Sequence, residues 1–188
     1  ADQGYAAAQA NLGGAYMNGQ GVPQDYGEAV RWWRKAADQG LAIAQTGLGG
    51  SYMTGRGVPQ DYAEAVRWLR MAASQGFAPA QVGLSLSYER GMGVPQDQEE
   101  AANWLRKAAD QGDASAQARL GSIYQYGRWG TRDYILAYMW FDLAASKASG
   151  EFQERYSDAR DSLAIQMTPQ EIAEAQRLAS EWKPTSGK

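Results

Sequence analysis

The chain has 188 residues, of which 44% are hydrophobic and 21% charged, and its formal net charge is −3. This composition is ordinary for a folded protein, and the weak negative charge argues against a nucleic-acid partner, which would need a basic surface. Cysteine and histidine are both absent, which excludes disulfides, thiolate chemistry and the commonest general base and metal ligand. We therefore expect no catalytic residue, no bound metal and no cofactor. No apolar run reaches the roughly 18 residues of a membrane span.

The sequence repeats with a period of 36 residues. Alanines and large apolar residues recur at helical spacing within each copy, which predicts two helices per copy and a continuous core along the stack. The predicted repeats span residues 5–40, 41–76, 77–112 and 113–148 of a repeat region 1–148. The columns include Leu12, Leu48, Leu84 and Leu120; Tyr16, Tyr52, Tyr88 and Tyr124; and Trp32, Trp68, Trp104 and Trp140.

The link between the two helices of a repeat has its own pattern, Gly-x-Gly-Val-Pro-Gln-Asp, in the first three copies. Glycine suits a left-handed helix end, and proline prevents the first helix from continuing. Asp25, Asp61 and Asp97 then stand where an N-cap is expected, each with a glutamate three residues later, which predicts capping boxes.

The last part of the chain departs from the pattern. The fourth link reads Gly-Arg-Trp-Gly-Thr-Arg-Asp from Gly127, and the helix predicted from Tyr134 to Ser146 is unusually aromatic. After Gly150 the period is lost. Residues 149–182 are predicted to form two capping helices, the second with Thr168 as its N-cap. Residues 183–188 are predicted to be a flexible tail.

The start of the chain suggests a longer array. Asp2-Gln3-Gly4 matches the place where the second helix of a repeat ends, so we expect the chain to be a fragment of a longer repeat protein.

Taken together, the columns resemble the Sel-one-like repeat (SLR) family, a branch of the tetratricopeptide superfamily. They are Ala-x-Ala-Gln-x-x-Leu-Gly-x-x-Tyr, Gly-x-Gly-Val and Asp-Tyr-x-Glu-Ala-x-x-Trp-x-x-Lys-Ala-Ala-x-x-Gly, with Gln98 replacing the tyrosine in the third copy. The resemblance implies an all-α, right-handed superhelical α-solenoid of helix–turn–helix repeats whose first helices line the concave side. It also implies a soluble protein of the bacterial cytoplasm or periplasm that acts as an adaptor or scaffold. Penicillin binding, reported for disulfide-rich relatives, is not carried over because their cysteines are absent.

The predicted partner surface is the side of each first helix opposite the shared leucine and tyrosine. Residues 5–17 and 41–53 contain no charge, which is unusual for a surface helix. Two interpretations stay open: small residues that fit a tightly wound inner wall, or an apolar peptide groove in which methionine adapts to varied partners. The predicted partner-binding residues are Ala10, Met17, Ile43, Thr46, Met53, Val82, Leu86, Glu89, Ser122 and Gln125.

Three classes of function follow from these observations. The first is a monomeric scaffold that binds a protein or peptide on the concave face. The second is a structural spacer or self-assembling element, with association through exposed solenoid ends. The third is an enzyme such as a cell-envelope hydrolase. Without Cys or His it would need carboxylates, Ser-Lys or Tyr, and no such set recurs at a spacing that indicates a catalytic site.

Two columns of the second helices have alternative interpretations. The tryptophan column is predicted to be core rather than an aromatic ligand platform, because each Trp stands beside alanines. The column of Arg34, Arg70 and Arg106 is predicted to be an ion-paired outer face, with a partner's acidic strip as the alternative.

Overall fold

The computed structural model describes residues 3–185, with side chains from Tyr5 onward. These residues form ten helices and no strand, which confirms the predicted all-α class. No helix among them is long and apolar enough to cross a bilayer. The helices are α1 (Gln3–Asn18), α2 (Tyr26–Ala37), α3 (Ala42–Thr54), α4 (Tyr62–Ser74), α5 (Ala78–Arg90), α6 (Gln98–Asp110), α7 (Ala114–Tyr126), α8 (Tyr134–Lys147), α9 (Glu151–Ala164) and α10 (Pro169–Glu181).

The described chain divides after Ala101, within α6, into two compact units. In the first unit a core cluster joins α1, α2, α3 and α4, and Leu48 and Ala36 within it are fully buried. In the second unit α7 to α10 share another cluster, in which Leu163 and Ala175 are fully buried. Alanines of the repeat columns let neighbouring helices approach closely in both units.

The predicted N-caps form, but the capping boxes predicted in the repeats are incomplete. The aspartate accepts from the backbone N–H of the glutamate, whereas the glutamate side chain makes no bond to the cap. The Asp61 carboxylate accepts a hydrogen bond from the Glu64 backbone N–H at 3.0 Å. The Glu64 side chain does not return to the cap, because it pairs with Arg67 at 2.6 Å. The start of α2 is arranged in the same way. The complete box predicted at Thr168 is confirmed, since Glu171 Oε2 accepts from the Thr168 backbone N–H at 2.7 Å.

Large side chains of the second helices fit against glycines of the first helices. A Cβ built on Gly13 or Gly47 would lie 2.5 or 2.7 Å from the Trp33 indole, so neither residue can carry a side chain there. Leu69 is placed in the same way, 2.8 Å from a Cβ built on Gly49. These contacts hold one side of α1 and α3 against the second helices and leave the opposite side outward.

The arginine column is bonded to the tyrosine column rather than to acidic residues, so the predicted ion-paired face is wrong. Each arginine donates a hydrogen bond to the tyrosine 18 residues later, which lies in the first helix of the next repeat. A phenol oxygen can accept this bond from a guanidinium although it carries no negative charge. The bonds are Arg34 to Tyr52 at 2.5 Å, Arg70 to Tyr88 at 2.8 Å and, in the second unit, Arg106 to Tyr124 at 2.6 Å.

In the second unit α9 and α10 cover α8. The Trp182 ring meets the Trp140 ring edge-on with 6.4 Å between centroids, and Gln176 Nε2 donates to the Tyr138 hydroxyl at 3.4 Å. Residues 183–185 follow α10 without helical structure, and the Thr185 N–H donates to the Asp110 backbone oxygen at 2.7 Å. The rest of the predicted tail, residues 186–188, lies outside the described residues.

At the other end, α1 differs from the prediction. Gln3 and Gly4 belong to α1, whereas their equivalents Gln39 and Gly40 form the turn before α3. Asp2 lies outside the described residues.

Candidate functional site

Buried glutamines fix the first helices of the first unit against the ends of the second helices. Gln45 is 1% exposed, and its Nε2 donates to the Ala37 backbone oxygen at 3.3 Å. Gln75, which follows α4, donates in turn to Gln45 Oε1 at 2.8 Å. A buried amide is costly unless it is bonded, so this chain of bonds sets the axial register of α3. Gln39 and Gln9 form the same amide pair at 2.8 Å.

The predicted partner-binding side chains of the first unit are mostly half-buried. There are two exceptions, of which the first, Ile43, has 55% of its surface exposed. Ala10 is 6% exposed and belongs to the core cluster, so it offers a partner almost no surface. The half-buried residues are Met17, Thr46, Met53, Val82, Leu86 and Glu89.

Two predicted residues use their hydroxyl protons within their own helices. Thr46 Oγ1 donates to the Ala42 backbone oxygen at 2.8 Å, so its methyl group and its oxygen lone pairs remain for other contacts. Ser122 Oγ donates in the same way to Ala118 at 3.2 Å. Ser122 and Gln125 are half-buried on α7 and belong to the second unit.

We define the first-helix face as the outward side of α1, α3 and α5 that bears Met17, Ile43, Met53, Val82 and Leu86. No charged residue occurs in α1 or α3. Glycines on this face stand in open space, because a Cβ built on Gly14 or Gly50 meets nothing within 4 Å. The face is therefore neutral along α1 and α3, and its glycines are not required by crowding within the unit.

A cleft of about 740 Å³ lies at the amino ends of these helices. Leu41 and Phe77, which line it, occupy the N-cap positions of α3 and α5 and make no side-chain cap bond. In the fourth repeat Asp113 holds the same column and does cap α7, accepting from the Ala116 N–H at 2.8 Å. Other lining residues are Ala6, Gln39, Ile43 and Gln75.

Sequence reasoning did not include Leu41 and Phe77 in the site. The available signal was an apolar residue where a polar cap is favoured, since a capping side chain contributes about 1 kcal/mol. The stabilisation by a capping side chain is absent at Leu41 and Phe77, which both lie at the edge of the cleft.

The tryptophan column is packed rather than presented to a ligand. Trp68 is 3% and Trp140 6% exposed, which confirms the predicted core role for these two. Trp32 and Trp104 are half-buried, and lysines cover their rings: Lys35 Nζ lies 4.4 Å and Lys107 Nζ 4.2 Å from the ring centroids. Within residues 3–185 no group of three or more acidic side chains is placed to hold a metal ion.

Comparison with known proteins gives a consistent result. The model of the family described as Sel1 repeat matches residues 6–41, 42–77, 78–113 and 114–149. The chain is similar to c5321, a protective antigen present in uropathogenic Escherichia coli strains that displays an SLR fold. The TM-score is 0.82 and the identity 34% over 96% of this chain and 38% of that one. It is also similar to a Sel1 repeat protein from Oxalobacter formigenes, with TM-score 0.66 and 32% identity over 92% of this chain and 73% of that one.

These likenesses confirm the predicted solenoid class. The chain spans little more than a third of the length of the E. coli antigen, at 38%. No curated protein gives a significant match.

Proposed function

The chain belongs to the Sel1 repeat family, and we propose that it is a protein-interaction scaffold that binds an extended peptide segment of a partner on the first-helix face. Sel1 repeat proteins generally serve as protein-interaction scaffolds and are typically non-enzymatic. The proposed role of this chain is accordingly binding without chemistry.

The observation that carries the proposal is the open space over Gly14 and Gly50. If small residues were needed only to fit a crowded inner wall, an added Cβ at these positions would meet neighbouring atoms. None lies within 4 Å, whereas a Cβ on Gly13, next to Gly14, or on Gly47, three residues before Gly50, would clash with Trp33 at 2.5 or 2.7 Å. The packed and the open glycines of the same helices therefore differ, and the helix surface at Gly14 and Gly50 has room for a ligand.

The chemistry of the face favours an apolar peptide. Met53 and Leu86 contribute flexible apolar side chains, and methionine adapts well to varied partners. Ile43 is 55% exposed beside the 740 Å³ cleft, which is large enough for bulky side chains of a ligand. Burial of apolar surface along α1 and α3, which carry no charged residue to desolvate, gives a net gain on binding.

Peptide display provides a test that needs no known partner. A random dodecapeptide library is selected on the whole chain, and the strongest binders are measured by fluorescence anisotropy against variants. Met53→Glu and Leu86→Asp place a charge in the face and should weaken binding at least tenfold, about 1.4 kcal/mol. Their melting temperatures should stay close to that of the unsubstituted chain, because both residues are only half-buried.

The matched control is Met71→Glu on α4. Met71 is 39% exposed on a second helix, away from the first-helix face, and its substitution should leave peptide binding unchanged. Equal binding by the Met53→Glu variant and the unsubstituted chain would exclude the first-helix face as the binding surface.

A second candidate function, self-association, is favoured by large apolar side chains exposed at helices near each end. Tyr5 on α1 is 66% exposed, and Phe152 on α9 and Ile165 after it are 60% and 87% exposed. Burial of such residues in a stack of copies would lower the free energy of association. Light scattering over a hundredfold range of concentration tests this: a constant monomer mass argues against it, and a mass that Ile165→Glu and Tyr5→Glu reduce supports it.

A further inference from the structure

The second unit contains a cavity of about 380 Å³ between α6, the end of α7 and the loop before α8. It is separate from the first-helix face of the first unit, and nothing in the proposed function uses it. Its walls are formed by Ala102, Arg106, Ile123, Tyr124, Trp129 and Gly130.

The cavity lies where two valine side chains are missing. In the first unit Val58, from the link between α3 and α4, packs against the core cluster that contains Val30. The residues at these columns 72 positions later are Gly130 and Ala102. A Cβ built on Gly130 meets nothing within 4 Å, so the space of the lost side chain is not refilled. The volume follows from Gly130 in the link of the fourth repeat and Ala102 in the second helix of the third.

Trp129 adds a wall to this space. It occupies the column of Gly57 and Gly93, where a built Cβ would lie 2.1 Å from the backbone oxygen of Tyr26 or Tyr62. A tryptophan cannot approach a backbone so closely, and the fourth link must therefore follow a different path. The indole of Trp129 instead lines the cavity.

The cavity wall carries one positive charge, Arg106, and the loop that contributes Trp129 and Gly130 carries two more, in a chain whose net charge is −3. Arg106 is exposed and donates from Nη2 to the Tyr124 hydroxyl at 2.6 Å, which fixes the guanidinium at the cavity wall. The loop from Gly127 to Arg132 contains two exposed arginines and no acidic residue. Asp133, which follows, is engaged as the N-cap of α8 and accepts from the Leu136 N–H at 2.9 Å.

We propose that this cavity binds an acidic segment of a partner protein. A carboxylate of the segment pairs with the planar fork of Arg106, and a neighbouring apolar or aromatic side chain packs on Trp129 inside the cavity. The arginines at positions 128 and 132 attract the remaining acidic residues through the solvent. This binding would be independent of the first-helix face.

The probe is a fluorescein-labelled peptide, Asp-Glu-Phe-Glu-Asp with both ends blocked, compared with its neutral analogue Asn-Gln-Phe-Gln-Asn. We expect the acidic peptide to bind at least tenfold more tightly and to shift the indole N–H resonance of Trp129 in a nitrogen-15 spectrum, with Trp129→Phe used for assignment. Absence of binding by the acidic peptide, or equal binding by the neutral one, would overturn the proposal.

Two substitutions test the site itself. Ala102→Val restores the valine of the first two repeats, keeps every polar group and should reduce binding at least tenfold by refilling the cavity. Arg106→Gln should reduce it as strongly, whereas Arg70→Gln is the matched control. Arg70 makes the same tyrosine bond, at 2.8 Å to Tyr88, in a repeat that retains its linker valine, so binding should be unaffected.

Three further results would count against the proposal. Undiminished binding by the Ala102→Val variant would place the peptide elsewhere. If Arg106→Gln and Arg70→Gln lost equal peptide affinity and fell equally in melting temperature, Arg106 would act by stabilising the fold and not by contacting the peptide. Binding of phenylacetate without binding of the peptide would assign the cavity to a small organic acid instead of a protein segment.

Discussion

Arg160 of α9 donates from Nη1 to the Asp142 carboxylate of α8 at 2.8 Å. These two residues lie 36 positions after Tyr124 and Arg106, whose side chains form the bond between second and first helix in the preceding repeat. The link is retained, but the arginine has moved from the second helix to the first. The last family match ends at residue 149, in agreement with the predicted loss of the period after Gly150, and this bond continues one contact of the repeats into α9.

Loss of the Asp142–Arg160 pair should destabilise the contact of α8 with α9. The side chains are 34% and 26% exposed, so solvent screens the pair and we expect a coupling free energy of about 1 kcal/mol in a double-mutant cycle of Asp142→Ala and Arg160→Ala. Urea unfolding of the four proteins gives the value. The exchanged variant Asp142→Arg with Arg160→Asp should recover stability lost in either charge-reversed single variant. A coupling free energy indistinguishable from zero would mean that the Asp142–Arg160 bond does not stabilise the fold.

This pair also indicates what sequence reasoning could reach. The columns of Leu48 and Trp68 repeat in identity, so periodicity alone predicted the helices and the core. The bond between α8 and α9 could not be predicted in that way, because Asp142 and Arg160 make an equivalent contact while both residue types change. The structure shows that the carboxylate of Asp142 stands in place of the Arg106 guanidinium, and the guanidinium of Arg160 in place of the Tyr124 phenol.

The candidate site divides in a similar manner. Absence of charge located the face that bears Ile43 and Met53, since that signal is present in the sequence. A helical wheel could not show that Ala10 is buried, because it gives a direction but not how far the neighbouring core extends. Leu41 and Phe77 were missed because an apolar residue before a helix is unremarkable until the cleft beside it is seen.

Two glycines of α3, three residues apart, should respond oppositely to a methyl group. Gly47→Ala would place a Cβ 2.7 Å from the Trp33 ring, and we expect a loss of about 1–3 kcal/mol of unfolding free energy. Gly50→Ala meets nothing within 4 Å and should stabilise the helix by up to about 1 kcal/mol. Thermal or urea unfolding measures both. Equal effects would mean that α3 is not held by Trp33 in solution.

The linker glycines allow steric contact to be separated from backbone conformation. Gly21 and Gly57 have almost the same positive φ, 75° and 76°. A side chain at Gly21 meets nothing within 4 Å, so Gly21→Ala should cost only the conformational strain, about 1–2 kcal/mol. Gly57→Ala would also bring a Cβ to 2.1 Å from the Tyr26 oxygen and should cost clearly more. If both variants unfold at the same urea concentration, the close approach of the link to α2 is absent.

Acid should weaken the start of α4 through Glu64. The hydrogen bond from Arg67 lowers the pKa of Glu64 below its ordinary value of 4.5, partly offset by burial, and a bond from Trp68 Nε1 at 2.8 Å lowers it further. Because the folded pKa lies below the unfolded one, this stabilisation is complete above pH 4.5 and is lost as the pH falls through the folded pKa.

Glu64→Gln removes the ionisable group and keeps the shape of the side chain. The variant should therefore melt at a lower temperature than the unsubstituted chain at pH 7, and the difference should shrink as the pH is lowered below about 4.5. Glu99→Gln, at an exposed side chain of α6, is the matched control for the substitution and is measured over the same pH range. A difference in melting temperature that stays constant from pH 7 to pH 3 would mean that Glu64 acts through packing and hydrogen bonding alone, without a contribution from its charge.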